Sequence, residues 1–443
     1  MSPSTDPAGR LCPLMGHFGL RSYGLRILLV PLTPEVMRGI VCIVLVLSSA
    51  PFVAGVAQQG PSLSRTQAIA AALSRNPRLA AARADSATAV ARITTAGALP
   101  NPTIAATYTK STPQYHVTAE MPLDQLWLRG TRVAAAEAGR LSARYRLRYE
   151  IASVSLDVDT SYTRSLAAVA HSRLSTRNAQ DADSLRRIAI ARRDAGDASD
   201  LDVELATLTA GQQANAAAAD SVTARATLLE LQALIGVGND GGGVTLTDSL
   251  DVSADITAAA PPSAEAPLLV ASGVALVQAA TLNARVQHRN VFGSPGVVVG
   301  FETGDPTGAE PGLLPTVGIA LPLPIFNHNR GPIAEAEAEQ AHAVAALDVV
   351  RIESQLQLSR TRSALVATAG RLTRDRQLLQ IATRVETMSL AAYREGASPL
   401  TSVLEAQRTA RDVQAQYVDD AANALIAAAT LRLLTLTPAS ATP

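Results

Sequence analysis

The same run of features occurs twice in this chain, about 200 residues apart, and a duplication of that length sets the symmetry of the fold before any motif is read. Met121-Pro122-Leu123 leads through Trp127 to Arg129-Gly130, and Leu321-Pro322-Leu323 leads through Phe326 to Arg330-Gly331. A long stretch rich in alanine and charge follows each. The first ends at Arg193-Asp194-Ala195-Gly196-Asp197-Ala198-Ser199 and the second at Arg394-Glu395-Gly396-Ala397-Ser398. A further Ala-rich segment closes each half, at Leu234-Ile235-Gly236 and at Leu433-Leu434.

Ahead of each long stretch the hydrophobic period is two, the signature of strands. Ile104, Ala106 and Tyr108 alternate with Thr103, Ala105 and Thr107; after a turn at Lys110–Pro113, Tyr115, Val117, Ala119, Met121 and Leu123 alternate with His116, Thr118 and Glu120. In the second copy Val297, Val299 and Phe301 form one face, and after the Gly/Pro-rich stretch 304–315 so do Val317, Ile319, Leu321 and Leu323. The pattern predicts two hairpins, with strands over about 102–110, 114–124, 295–303 and 314–325. Strands of about ten residues with one apolar face suit a tilted crossing of a bilayer.

The period then changes to that of a helix. Ser64 and Gln67 have the spacing of a capping box at the start of a helix reaching about Ala98, with a break at Asn76-Pro77. Long helices are expected over about 129–195 and 329–395, each about 100 Å at 1.5 Å per residue. That length is several bilayer cores, and the charge they carry keeps them out of one. Leu358, Leu365, Leu372 and Leu379 recur every seven residues as a coiled-coil seam, and Ile151, Val154, Val158 and Tyr162 follow three-four spacing. The helical segments before each hairpin and after each tip are expected to be shorter, about 36 to 40 residues.

Composition excludes several classes. Aromatics are 3% of 443 residues while hydrophobics are 47%, which suits long Ala-rich helices rather than a large globular core. Formal net charge is zero, so no basic excess points to nucleic acid. Both cysteines, Cys12 and Cys42, precede the repeats, which excludes a disulfide framework in them. Met37-Arg38, the apolar run Ile40–Leu47 and the small residues up to Ala57 read as a signal peptide, with a mature start near Gln58. The domain layout is then 1–57 leader, 58–240 first repeat, 241–266 linker, 267–437 second repeat and 438–443 tail.

Four strands cannot close a membrane barrel, since about eight is the practical minimum, and an open edge has no hydrogen-bond partner in lipid. The chain must therefore associate with copies of itself to close one. At this point the residues resemble a known family, the TolC-like outer-membrane efflux factors, over about 60–436. The resemblance rests on the duplicated layout and on four local matches in order. These are Leu63-Ser64-Arg65-Thr66-Gln67-Ala68-Ile69 with Asn76-Pro77, Leu99-Pro100-Asn101-Pro102, the run from Leu321 through Pro324-Ile325-Phe326-Asn327-His328-Asn329 to Gly331, and Tyr393-Arg394-Glu395-Gly396. The third looks most like the heavy-metal (cation) branch.

The resemblance implies a mainly α fold with a membrane β part: a homotrimeric β-barrel in the outer membrane, continued by a periplasmic α-barrel. It implies a periplasmic adaptor and an inner-membrane RND-type pump or ABC transporter as partners. The expected function is the exit duct of a tripartite efflux system, passing metal cations or drugs. A type I protein-secretion duct and a periplasmic coiled-coil adaptor are the alternatives. No enzyme activity and no cofactor are expected.

By the same resemblance, Asp200, Asp202, Ser402 and Glu405 would line a periplasmic gate, and Gly196, Ser199, Gly396 and Ser398 would form adaptor-docking tips. Tyr108 and Trp127 are candidate membrane-interface anchors. No metal site is expected, since His116, His171, His288, His328 and His342 nowhere stand three or four apart. The pairs Asp157/Asp159, Asp181/Asp183 and Asp200/Asp202 point to different sides of a helix and read as solvated charge. No nucleophile elbow, P-loop or zinc-protease motif occurs.

Overall fold

The computed structural model describes residues 62–236, 244–250, 265–309 and 312–439. The segment read above as a signal peptide, both cysteines, the glycine cluster 241–243 and the last four residues lie outside the described residues.

The elements are β1 (Ser62–Leu63), α1 (Arg65–Arg75), α2 (Pro77–Gly97), β2 (Thr103–Tyr108), β3 (Tyr115–Pro122), α3 (Gln125–Asp194), α4 (Asp200–Ile235), β4 (Thr245–Leu246), α5 (Leu268–Arg289), β5 (Gly296–Thr303), β6 (Leu314–Ala320), α6 (Arg330–Arg394) and α7 (Leu400–Leu434). The capping box opens α1: Gln67 N–H donates to Ser64 Oγ at 3.3 Å and Ser64 N–H donates to Gln67 Oε1 at 2.9 Å. Asn76 then ends α1 and caps α2 through Arg78 N–H, with Pro77 in the first turn where its missing N–H costs nothing. The copies are unequal. The second has 22 residues in α5 where the first has 11 and 21 in α1 and α2, so the segment before the second hairpin falls well short of the expected length.

The helices form a layer around α3, which packs on α1, α2, α4, α5 and α7; α6 packs on α5 near the strands and on α7 toward the tip. Interior positions are most often alanine, which lets helix backbones approach closely. Three leucines of the seam, Leu358, Leu365 and Leu372, face α7, with Leu365 against Ala428 and Leu431 and Leu372 against Ala421, Ala424 and Leu425. Midway along α3, Val154, Val158, Tyr162 and Leu166 pack with Ala68, Ala72, Leu79, Leu231 and Ile235. Each large side chain buried there contributes roughly 1.5–3 kcal/mol.

That waist contains an element the alternation pattern misses. β1 and β4 pair in parallel, so residues 244–250, assigned above to a linker, are part of the fold. Tyr162 Oη donates to Leu63 O at 2.9 Å, and Asp248 Oδ2 accepts from Arg65 N–H at 2.7 Å.

The two hairpins join into one antiparallel sheet, ordered β2-β3-β5-β6, with β3 and β5 uniting the repeats. The strands are shorter than expected. β6 stops at Ala320, well before 325, because Pro322 and Pro324 cannot donate to a ladder. Pairing of Val117 with Phe301, Ala119 with Val299 and Val299 with Val317 places the apolar positions of all four strands on one face. That face is exposed; Val317 keeps 80% of its surface.

Candidate functional site: paired helical tips and an open-edged sheet

Each long helix ends at a glycine in the left-handed region, Gly196 at φ 86° and Gly396 at φ 76°, a conformation an L side chain adopts only with strain. Backbone bonds close both turns: Gly196 N–H to Arg193 O and Asp197 N–H to Arg192 O, then Gly396 N–H to Tyr393 O and Ala397 N–H to Ala392 O. The start of the next helix differs. Ser199 caps α4 in a capping box with Asp202, whose Oδ2 accepts from Ser199 N–H at 3.1 Å and from Ser199 Oγ at 2.9 Å. At the second tip Pro399 holds the cap position and provides no side-chain bond, and Ser398 Oγ is buried with no partner.

The two tips share a core of Leu185, Ala189, Val203, Ala206, Tyr393, Leu400 and Val403. Arg192 ties them together. Its Nη1 donates to Tyr393 O at 2.7 Å, its Nη2 donates to Asp197 O at 3.1 Å, and its guanidinium stands 4.6 Å from the centre of the Tyr393 ring. Tyr393 Oη is buried without a partner, and burial pushes its pKa up. No sequence pattern singles out Arg192, because Tyr393, its partner in the other repeat, lies 201 residues away.

The structure separates the four gate candidates. Asp202 borders a cavity of about 310 Å³ between the tips, with Gly396 and Ser398. Ser402 and Glu405 open into another groove of about 690 Å³ between α6 and α7, beside Leu378, Ile381 and Val385. Asp200 is exposed, 3.8 Å from Arg193 Nη1.

Higher on the same helices, Asp420 is buried and accepts from Arg371 Nε at 3.0 Å and Gln416 Nε2 at 3.1 Å. Asp375 is buried beside it with Oδ2 unpartnered. Burial, then the neighbouring Asp420 charge, holds the Asp375 carboxyl above its ordinary value. Burial opposes ionisation of Asp420 too, but the bonds from Arg371 and Gln416 prevail and hold it below. Among the described residues no group of three or more His, Cys, Asp or Glu could hold a metal ion.

At the other end of the molecule the sheet offers a polar face and two free edges. His116 Nδ1 lies 3.3 Å from Glu302 Oε1 on the polar face, with Thr109 Oγ1 3.2 Å from His116 Nε2. Among the described residues β2 and β6 each have a partner on one side only. Tyr108 is exposed and stands 5.3 Å from Tyr115, ring to ring, at the end of the hairpin away from the helices; Trp127 is half-buried in the first turn of α3.

The profile of the outer membrane efflux protein family matches residues 313–435, from β6 through α7. No curated protein matches the sequence. Solved structures match over most of the chain. A membrane protein from Pseudomonas aeruginosa has 17% identity and a TM-score of 0.69, covering 88% of this chain and 95% of that one. CusC has 15% identity and a TM-score of 0.70, covering 88% and 96%. The outer membrane protein VceC from Vibrio cholerae has 17% identity and a TM-score of 0.67, covering 84% and 96%. The second repeat is thus similar to the outer membrane efflux protein family, and along most of its length the chain has the fold of these outer-membrane channels.

Proposed function

We propose that three copies of this chain close into one duct that carries small solutes, metal cations or drugs, out through the outer membrane. The observation that carries this reading is the sheet: four strands, one face apolar and exposed, the other polar, and two bare edges. The strands alternate in direction, so β2 of a second copy can add antiparallel to β6 and the pattern repeats until the ring closes. Three copies bring twelve strands, apolar toward lipid and polar toward the bore.

The helices support the same assembly. Leu201, Leu208, Val222 and Leu229 lie at multiples of seven on α4 and are exposed, as are Leu378, Ile381, Val385 and Met388 at three-four spacing on α6. Exposed seams of this kind are sites of helix association. In the closed ring Asp200, Asp202, Ser402 and Glu405 would recur around the narrow end, where repeated carboxylates favour cations. The tips around Gly196, Ser199, Gly396 and Ser398 would meet a periplasmic adaptor, and an inner-membrane pump would supply the energy.

The test is migration and conductance. Full-length protein from the outer-membrane fraction is expected to run as a trimer that heating converts to monomer; a monomer in unheated samples refutes the assembly. In planar bilayers, Asp202→Ala with Glu405→Ala is expected to raise single-channel conductance, and unchanged conductance removes both from the gate.

A further inference from the structure

The four-stranded sheet carries few charges, and they share one face and one sign. Across β2, β3, β5 and β6 the acidic residues are Glu120 and Glu302, the only histidine is His116, and no lysine or arginine occurs. Register places all three on the polar face. His116 stands opposite Thr107 on one side and Glu302 on the other, and Glu120 stands opposite Thr103 and Val298.

The charges fall at two levels. His116 and Glu302 lie toward the hairpin turns, while Glu120 lies four residues further along β3, close to the helices. At about 3.3 Å per residue the levels are about 13 Å apart. The two carboxylates are held differently. Glu302 Oε1 is 3.3 Å from His116 Nδ1, a contact that joins the two repeats. Glu120 makes no hydrogen bond or ion pair among the described residues. It lies across Gly296 instead: a Cβ built on that glycine would come within 2.8 Å of Glu120 Oε1 and 3.0 Å of its Cγ. The bare backbone of Gly296 therefore makes the room in which this carboxylate rests against the wall. The first arginines beyond β3 do not reach back to neutralise it. Arg129 Nε donates to Gly97 O at 2.9 Å, and Arg132 Nη2 donates to Asp124 Oδ2 at 2.9 Å.

We propose that Glu120 and Glu302 make the strand section of the duct a charge filter of its own, which passes cations in preference to anions of the same size. Each copy in the closed ring repeats both carboxylates, and repeated carboxylates on a wall without positive charge attract cations and repel anions. Screening limits each level to about 8 Å at physiological salt, so levels about 13 Å apart filter in series. Glu120 counts for more, since it has no partner whereas Glu302 faces an imidazole. The filter stands at the opposite end of the molecule from Asp202 and Glu405 and acts without them. The inference rests on the barrel reading above, and its test separates the two.

Full-length protein is placed in planar bilayers under a potassium chloride gradient, and the reversal potential gives the potassium-to-chloride permeability ratio. The measurement is repeated with Asp202→Ala and Glu405→Ala together, which removes the tip carboxylates. In both backgrounds Glu120→Gln is expected to lower the ratio about threefold or more, and Glu120→Gln with Glu302→Gln to lower it further. A ratio that the double Gln variant leaves unchanged, or that responds only to the tip substitutions, overturns the filter and leaves the duct standing. Parent protein that forms no channels overturns the barrel reading and the filter with it. If the double Gln variant does not assemble, Thr118→Lys takes its place: it sets a positive charge on the same face between the two levels. That variant is expected to lower the ratio, and an unchanged ratio overturns the filter in the same way.

Discussion

Removing the Arg192 side chain should loosen the tips without unfolding the molecule. Arg192→Ala deletes two hydrogen bonds from a charged donor, at 2.7 Å and 3.1 Å, and a guanidinium–ring contact at 4.6 Å. Charge-assisted bonds contribute about 1.5–3 kcal/mol each when dry, and a cation–π contact about 0.5–1 kcal/mol at an open site. Arg192 is half-buried, so solvent reduces both, and about 2–4 kcal/mol is expected for the whole clasp. The tips open locally, so this loss reads directly as amide exchange. Peptides covering 185–206 and 393–406 should lose about 30- to 700-fold of their protection, at 1.4 kcal/mol per tenfold. Peptides over the waist, around Val158 and Leu231, should not change. Arg192→Lys keeps the charge but not the planar fork, and should recover only part of the protection. Tip protection within about twofold of the parent in Arg192→Ala would refute the clasp as an energetic link between repeats.

Four further outcomes are expected. Asp375 has a raised pKa, so its ionisation costs stability as pH rises above the unfolded value of 3.8 and costs most above its own folded pKa; Asp375→Asn should raise the protein's thermal midpoint at neutral pH and leave it unchanged in strong acid. Asp420 has a lowered pKa, so its contribution is present above the unfolded value and lost as pH falls through its folded pKa; Asp420→Asn should lower the midpoint at neutral pH, with the gap closing in acid. Leu372→Ala empties a buried position against Ala421, Ala424 and Leu425, and should cost about 2–4 kcal/mol by denaturant-dependent circular dichroism. Gly196→Ala meets no neighbour within 4 Å, so its cost is backbone strain alone, about 1–2 kcal/mol in exchange at the first tip, with Gly196→Asn costing less.

What could be read from sequence was what repeats locally. The Ser64–Gln67 box, the Asn76-Pro77 break, the alternation in four strands and the heptad seam at Leu358, Leu365 and Leu372 all have a period or a spacing, and each stands in the structure. β1 and β4 escaped because two residues have no period; only their pairing across the chain makes them strands. The β6 boundary was overrun because Leu321 and Leu323 continue the apolar alternation after Pro322 has ended the ladder. At the tips the glycine turns were legible, since φ above zero favours glycine. The Arg192 clasp and the Asp375–Asp420 pair were not, because both depend on which helices the fold brings side by side.

The bare edges of the sheet bear on the genetics of the molecule as well as its assembly. A chain whose β2 or β6 edge is damaged is not simply idle. In the proposed trimer, such a chain seated between two sound copies would leave a slit in the shared wall, exposing backbone groups to lipid. Such a variant would then act as a poison subunit, spoiling the product of an intact gene made in the same cell, whereas a chain that never folds would leave its neighbours to assemble without it.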